Sequence, residues 1–244
     1  MEDIDAIAAL QDPVRRRLYE YVAAQGREVG RNEAAEAAGV ARTLAAHHLD
    51  RLTEVGLLES GSRRLTGRSG PGAGRPAKVY TRARAERAVS LPVRDYRTAA
   101  ELLAEAAEQA GLDAGLYAAA RRRGEALRGS AAPCGGLEEA MAVLAARGYE
   151  PHLEGADGAE GVEGAGGAGG AGGSGETTEA ATCVVRMRNC PFHAVAERFP
   201  PLVCGMNLAL LEGLLGTDGP VRARMEARPG ECCVVVESSK NNSD

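Results

Sequence analysis

The chain has 244 residues, of which 44% are hydrophobic and 26% are charged, and its formal net charge is −5. This composition predicts one or two globular domains and excludes a largely disordered chain. No apolar run approaches the roughly 20 residues of a membrane helix, and the acidic start lacks the features of an export signal. We therefore expect a cytoplasmic protein without membrane contact, whose six cysteines bind metal or take part in redox chemistry.

The N-terminal part predicts three helices followed by a β-hairpin. Asp12 and Pro13 are typical of a helix start, and Gly39 suits a tight turn because glycine adopts a positive φ at little cost. The predicted elements are a helix from Asp12 to Gly26, helices over 32–38 and 41–55, and strands starting at 57 and 77. This order is the one found in a winged helix-turn-helix domain.

Basic residues are concentrated where this arrangement has its wing. Residues 61–87 contain eight basic and one acidic side chain, which gives a local charge of +7. Such a stretch indicates contact with a polyanion, although a solvated basic loop has the same composition. The wing residues predicted to contact phosphates or the minor groove are Arg63, Arg64, Arg68, Arg75 and Lys78.

The helix over 41–55 is the predicted major-groove reader. Only its N-terminal end would approach the base edges, so Arg42 and Thr43 are the candidate base contacts, with His47 behind them. His48 lies on the apolar stripe of the same helix and is predicted to be packed inside the domain.

Residues 12–81 resemble winged-helix bacterial repressors of the ArsR/MarR/DeoR type. The likeness is carried by Gly-Arg-Pro-Ala-Lys-Val-Tyr at residues 74–80 and by the helix and first wing strand over 41–58. The resemblance implies a double-stranded DNA operator as partner and a homodimer that reads a palindromic site. A winged helix that binds a protein partner is the alternative.

The second half of the sequence predicts a different domain. Residues 98–128 have a helical pattern that suits a connector or a dimerisation helix, and the later strands and helices predict an antiparallel sheet. Eleven glycines among residues 155–175 predict a flexible loop. The predicted organisation is α+β, with a winged helix-turn-helix over 1–90, a helical connector over 91–130 and a sensor domain over 131–240 that contains the loop 155–176.

Four cysteines fall within 44 residues of this sensor domain: Cys190, Cys204, Cys232 and Cys233. Thiolates select iron–sulfur clusters or zinc, although the spacing is not that of a zinc knuckle. Cys190 is at a predicted helix start, where the helix dipole would lower its pKa. Cys183 lies in a predicted strand and is expected to be buried.

The stretch from Asn189 to Ala196, together with Cys204 and Gly230-Glu231-Cys232, resembles the sensor region of SufR-type iron–sulfur repressors. The resemblance implies Cys190, Cys204 and Cys232 as cluster ligands, and control of genes for cluster assembly. That family has a further cysteine between the second and last ligands, whereas residues 205–231 contain none. The fourth ligand would then be Cys233, His193 or an outside molecule. The alternative is that the cluster is absent, which leaves zinc with a Cys₃His ligand set.

Three functions follow from these patterns. The first is a DNA-binding repressor with an iron–sulfur or redox sensor, and the second is the same DNA-binding module with structural zinc or a small ligand. The third is a thiol- or metal-handling protein whose winged helix binds a protein. The sequence lacks the glycine-rich nucleotide loops and the Gly-x-Ser-x-Gly motif, so we do not expect an enzyme.

Overall fold

The computed structural model describes residues 2–63, 76–154 and 183–238, and the chain divides into two units. The first unit is Met1–Arg94 and the second is Asp95–Asp244. Both combine helices with a small antiparallel sheet, so the predicted α+β class is confirmed. No helix in the described part of the chain is both long and apolar enough to cross a membrane.

The described residues of the first unit, 2–63 and 76–94, form four helices and a three-stranded sheet. The helices are α1 (Glu2–Ala9), α2 (Pro13–Gln25), α3 (Arg31–Ala38) and α4 (Arg42–Glu54), and the strands are β1 (Val29–Gly30), β2 (Leu58–Arg63) and β3 (Ala77–Arg82). The strand order is β1-β3-β2, and β2 and β3 form the predicted hairpin, with Leu58 opposite Arg82. The sequence analysis did not predict α1.

The local signals in this unit act as expected. The Asp12 side chain accepts hydrogen bonds of 2.9 Å from the backbone N–H groups of Val14 and Arg15, and therefore caps α2. Gly39 has a φ of 64° and ends α3. Apolar residues of α2, α3 and α4 then meet in one core, in which Leu18, Leu49 and Tyr80 are fully buried.

In the second unit, residues 95–154 and 183–238 form five helices and a four-stranded antiparallel sheet. The helices are α5 (Tyr96–Gln109), α6 (Asp113–Arg128), α7 (Leu137–Ala145), α8 (His193–Ala196) and α9 (Pro200–Leu215). The strands are β4 (Pro151–Leu153), β5 (Val184–Met187), β6 (Val221–Met225) and β7 (Val234–Ser238), in the order β4-β5-β7-β6. The hairpin of β6 and β7 lies where the sequence predicted it. The Gly-rich loop predicted over 155–176 lies outside the described residues.

One prediction for the helices needs correction. Residues 98–128 do not form one helix, because Gly111 adopts a φ of 62° between α5 and α6. Pro200 and Pro201 occupy the first turn of α9, where proline costs no hydrogen bond. The helices of the predicted connector are part of the second unit, since α6 packs along α9.

The backbones of α6 and α9 touch where each helix has a glycine. A Cβ atom on Gly124 would overlap with the carbonyl oxygen of Leu210, and one on Gly213 would overlap with that of Arg121. Arg128 also donates a hydrogen bond of 3.2 Å to the carbonyl oxygen of Gly213. Only glycine allows this approach, which brings α9 against the sheet and the core that includes Leu211, Leu214 and Val234.

We expect Gly124→Ala to lower the free energy of unfolding by about 2 kcal/mol, because the added methyl group meets backbone that cannot move aside. Gly115→Ala on the same helix is the control, since a Cβ there meets open space and alanine favours the helix by up to about 1 kcal/mol. Urea unfolding followed by circular dichroism measures both. Equal stability of the two variants would contradict the direct contact between the backbones of α6 and α9.

Candidate nucleic-acid interface and thiol cluster

The start of α4 is open to solvent. Its N-cap, Ala41, forms no side-chain cap, so the N–H groups of the first turn remain available to an anion. Arg42, Thr43 and His47 are all exposed on this helix. The structure therefore places the three predicted base-contacting residues on the solvent side of α4, and Arg42 forms no ion pair with any residue that the structure describes.

Asp50, on α4, joins the helix to the wing and to α3. Its carboxylate lies 2.7 Å from Lys78 Nζ, accepts a hydrogen bond of 2.7 Å from the Tyr80 hydroxyl, and is 3.0 Å from Arg31 Nη2. Burial raises the pKa of Asp50, but the hydrogen bonds from Lys78 and Tyr80 outweigh it and leave the pKa below its usual value. Asp50 is therefore ionised and binds three side chains from other elements.

The ion pair with Asp50 bears on the interpretation of Lys78. The sequence predicts that Lys78 contacts DNA. In the structure its ammonium group pairs with Asp50 and lies 5.3 Å from the centre of the Tyr80 ring. Lys78 thus fixes the distance between the wing strand and α4. The predicted wing residue Arg63 is exposed, and its Nη1 is 3.2 Å from Glu28 Oε2. The predicted wing residues outside the described range are Arg64, Arg68 and Arg75.

His48 is packed inside the first unit, as predicted. Its side chain is 6% exposed, and its Nδ1 accepts a hydrogen bond of 3.4 Å from Arg15 Nε. Burial lowers the pKa of His48, and the neighbouring charge of Arg15 acts in the same direction. The folded domain therefore favours the neutral imidazole.

Comparison with known proteins agrees with this geometry. The sequence model of a family described as "Helix-turn-helix domain" matches residues 10–61, which cover α2, α3, α4 and part of β2. These residues form a helix-turn-helix domain. No curated protein and no solved structure matches the chain. The domain is of the type that binds DNA in transcriptional regulators, a class of proteins that is typically non-enzymatic.

Four cysteines of the second unit meet in one place, which we call the thiol cluster: Cys190, Cys204, Cys232 and Cys233. Cys190 follows β5, Cys204 lies in the first turns of α9, and the other two precede β7. Cys232 is close enough to Cys190 and Cys233 for each to shift its pKa, and Cys204 likewise shifts the pKa of Cys233. All four are free thiols.

Interactions among three of these thiols shift their pKa values in opposite directions. Hydrogen bonds from Cys190 and then from Cys233 lower the pKa of Cys232. The hydrogen bond to Cys232, followed by burial, raises the pKa of Cys190 and likewise that of Cys233. Among the residues that the structure describes, no group of three or more His, Cys, Asp or Glu side chains lies close enough together to hold a metal ion as it stands.

Two cysteine predictions differ from the structure. Cys190 was expected to have a lowered pKa at a helix start, but α8 begins at His193, and Cys190 donates its hydrogen to Cys232 instead. Cys183 was expected to be buried and is exposed, because β5 begins one residue later. Both errors come from the position of an element boundary, which side-chain patterns define poorly.

His193 and Cys233 were two of the candidates for a fourth ligand, and the structure places them in different surroundings. The His193 side chain is 67% exposed, and its Nε2 is 3.2 Å from Glu197 Oε1 on the next turn. Cys233 lies within the thiol cluster although it is adjacent to Cys232. Side chains alternate between the two faces of a strand, but both cysteines precede β7, which begins at Val234, so the alternation does not apply to them.

The loop that carries Cys232 is anchored by a buried arginine on β5. Arg186 is 2% exposed and forms ion pairs with Glu154 and Glu226. Its Nη1 is also 3.8 Å from Oε2 of Glu231, the residue before Cys232. The backbone N–H of Cys232 donates a hydrogen bond of 2.9 Å to the carbonyl oxygen of Met187, which attaches the loop to β5 a second time.

Sequence reasoning missed several residues that shape these two sites: Arg15, Arg31, Asp50, Tyr80, Tyr149, Arg186 and Asn207. Each forms its contact with a residue distant in the sequence, as Asp50 does with Lys78 across 28 positions. One signal was available for Arg186, because a charged residue among the apolar residues of β5 requires ionic partners.

We expect the free energy of unfolding to fall as the pH is lowered from 7 to 5, because the unfolded chain binds a proton on His48 that the folded domain resists. This residue contributes a slope of at most about 1.4 kcal/mol per pH unit, which His48→Gln removes. Urea unfolding at several pH values measures it. His47→Gln replaces the exposed neighbour and is the control, in which we expect the free energy of unfolding to depend on pH as in the wild type. The same dependence in His48→Gln would refute the assignment.

Proposed function

We propose that this protein is a DNA-binding transcriptional repressor, active as a homodimer, whose second unit senses iron–sulfur or redox status through the thiol cluster. The observation that carries the proposal is the meeting of Cys190, Cys204, Cys232 and Cys233 from three separate segments. The same chain contains a helix-turn-helix domain. The target genes we expect are those of cluster assembly or of redox defence.

The type of the four side chains supports the proposal of an iron–sulfur cluster. Cys₄ is the common ligand set of such clusters, and thiols lose their protons to a metal that balances the charge. Without that balance the pKa of Cys232 is lowered, whereas the pKa values of Cys190 and Cys233 are raised. Cys190, Cys204, Cys232 and Cys233 would hold the group, which supplies sensitivity to oxygen and to iron supply. Cys233 takes the place of the fourth ligand in this proposal.

Structural zinc is the second candidate, and it rests on the same four sulfur atoms. Zinc binds four cysteine thiolates in a closed site and has no redox chemistry of its own. In that case the thiol cluster would stabilise the second unit, and the DNA affinity would respond to a small ligand elsewhere. The metal content of the isolated protein distinguishes the two candidates.

The homodimer is supported by the surface of α5. No residue of this helix is buried, and Tyr96, Leu102 and Leu103 are all exposed on it. Exposed apolar patches of this kind mark protein interfaces. A two-fold dimer would present two copies of α4 to half-sites one helical turn apart, so a change in the thiol cluster that alters their spacing would alter the DNA affinity.

We expect protein purified without oxygen to be coloured and to contain iron and sulfide. Replacing any one of Cys190, Cys204, Cys232 or Cys233 by serine should remove most of the iron, because each loses one sulfur ligand. Visible spectra together with iron, sulfide and zinc analysis measure the outcome. Cys183→Ser is the matched control and should retain the iron, since this exposed thiol lies outside the thiol cluster. A colourless wild-type protein that stays free of iron after reconstitution would refute the sensor.

We expect Arg42→Ala to weaken binding to the preferred DNA sequence by about 1–3 kcal/mol and to relax the sequence preference, because a base-contacting arginine is lost. Gel shifts with double-stranded DNA selected from random sequences measure this. Arg51→Ala is the control, since Arg51 lies in the last turn of the same helix and pairs with Glu54 at 3.0 Å. If Arg42→Ala keeps the wild-type affinity and preference, α4 does not read the bases as proposed.

A further inference from the structure

A buried amide lies between α9 and the thiol cluster. Asn207 is 1% exposed, and its Nδ2 donates a hydrogen bond of 3.4 Å to the sulfur of Cys232. Its Oδ1 accepts a hydrogen bond of 2.6 Å from the hydroxyl of Tyr149, which is itself buried. A buried amide has to satisfy both of its ends, and here one of them is satisfied by a sulfur atom.

The two partners of the amide together fix which end faces the sulfur. An asparagine side chain can be rotated by half a turn with almost no change in shape, so its hydrogen-bond partners decide its orientation. A thiolate that binds a metal can only accept, so Nδ2 faces Cys232, and the Tyr149 hydroxyl donates to Oδ1 at the other end. Tyr149 precedes β4 and Asn207 lies on α9, so two separate elements fix this one N–H group.

The position of Asn207 on α9 links it to a second cysteine. Cys204 is three residues earlier on the same helix, which places the two side chains on neighbouring turns of one face. The crossing of α6 and α9 at Gly124 and Gly213 fixes this helix against the sheet. Asn207 is thus held by the fold at the sulfur of Cys232, and it does not depend on a flexible loop.

A hydrogen bond to a ligand sulfur changes what that ligand can do. It stabilises negative charge on the sulfur, so it favours the more reduced state of a bound cluster, and groups of this kind also orient the ligand. We propose that Asn207, oriented by Tyr149, is a positioning residue that donates its N–H to the sulfur of Cys232 and so sets the metal affinity and the reduction potential of the thiol cluster. The inference rests on the proposed sensor function.

The test uses the full-length protein and Co²⁺ alone as the probe, because sulfur–cobalt charge transfer reports directly on the ligand sulfurs. Asn207→Leu removes the donor at similar volume, and Asn207→Asp keeps an acceptor for Tyr149 while it removes the donor. We expect both variants to bind Co²⁺ about 10- to 100-fold more weakly than the wild type and to shift the charge-transfer band. The reduction potential of anaerobically reconstituted protein should become more negative.

Tyr149→Phe tests how the Asn207 amide is oriented. It also gives a second measurement in case an Asn207 variant fails to fold. It leaves Asn207 in place but removes the hydroxyl, so the Co²⁺ affinity and the band should change in the same direction by a smaller factor. Gln109→Leu replaces an exposed amide on α5 and serves as the control, with wild-type values expected. Urea unfolding of each metal-free variant shows whether stability alone has changed.

The outcomes separate the inference from the function on which it rests. If the Asn207 variants lose stability but keep the wild-type Co²⁺ affinity, charge-transfer band and reduction potential, Asn207 is a packing residue and the inference is overturned. If the wild-type protein binds neither Co²⁺ nor an iron–sulfur cluster, the proposed sensor is overturned together with it. Weaker Co²⁺ binding and a shifted band in folded Asn207 variants, with unchanged values in Gln109→Leu, support both.

Discussion

The second unit depends on the direct contact between the backbones of α6 and α9. Gly124 and Gly213 allow the helices to touch without side chains between them, and this fixes the position of α9 against the sheet. Because α9 carries both Cys204 and Asn207, the same contact determines where one thiol and one hydrogen-bond donor lie. The packing of the unit therefore sets the positions of Cys204 and Asn207, while Cys190, Cys232 and Cys233 lie on the segments next to β5 and β7.

Charge is the second constraint on the thiol cluster. Interactions with Cys190 and Cys233 lower the pKa of Cys232, whereas the pKa values of Cys190 and Cys233 are raised. Two ionic partners of Arg186, Glu226 and Glu231, lie on the loop that leads to Cys232, so a buried charge anchors this loop.

The helix-turn-helix domain divides its charged residues between two tasks. Asp50 binds Lys78, Tyr80 and Arg31, and thereby holds α4, the wing strand and α3 in a fixed arrangement. Arg42, by contrast, lies exposed at the start of α4. The distinction between a cation that positions the domain and one that can meet DNA depends on the nearest carboxylate, and composition alone does not reveal it.

The sequence alone determined the elements that local signals control. The Asp12 cap, the Gly39 turn, the wing hairpin and the β6–β7 hairpin follow from residues close to one another in the chain. Tertiary structure decided the rest, because partners such as Asp50 and Lys78, or Tyr149 and Asn207, are separated by many residues. It also decided that Cys233 lies in the thiol cluster, whereas His193 pairs with Glu197. The cysteine pattern supplied the candidates, and only the packing of α9 and the sheet brought their sulfur atoms together.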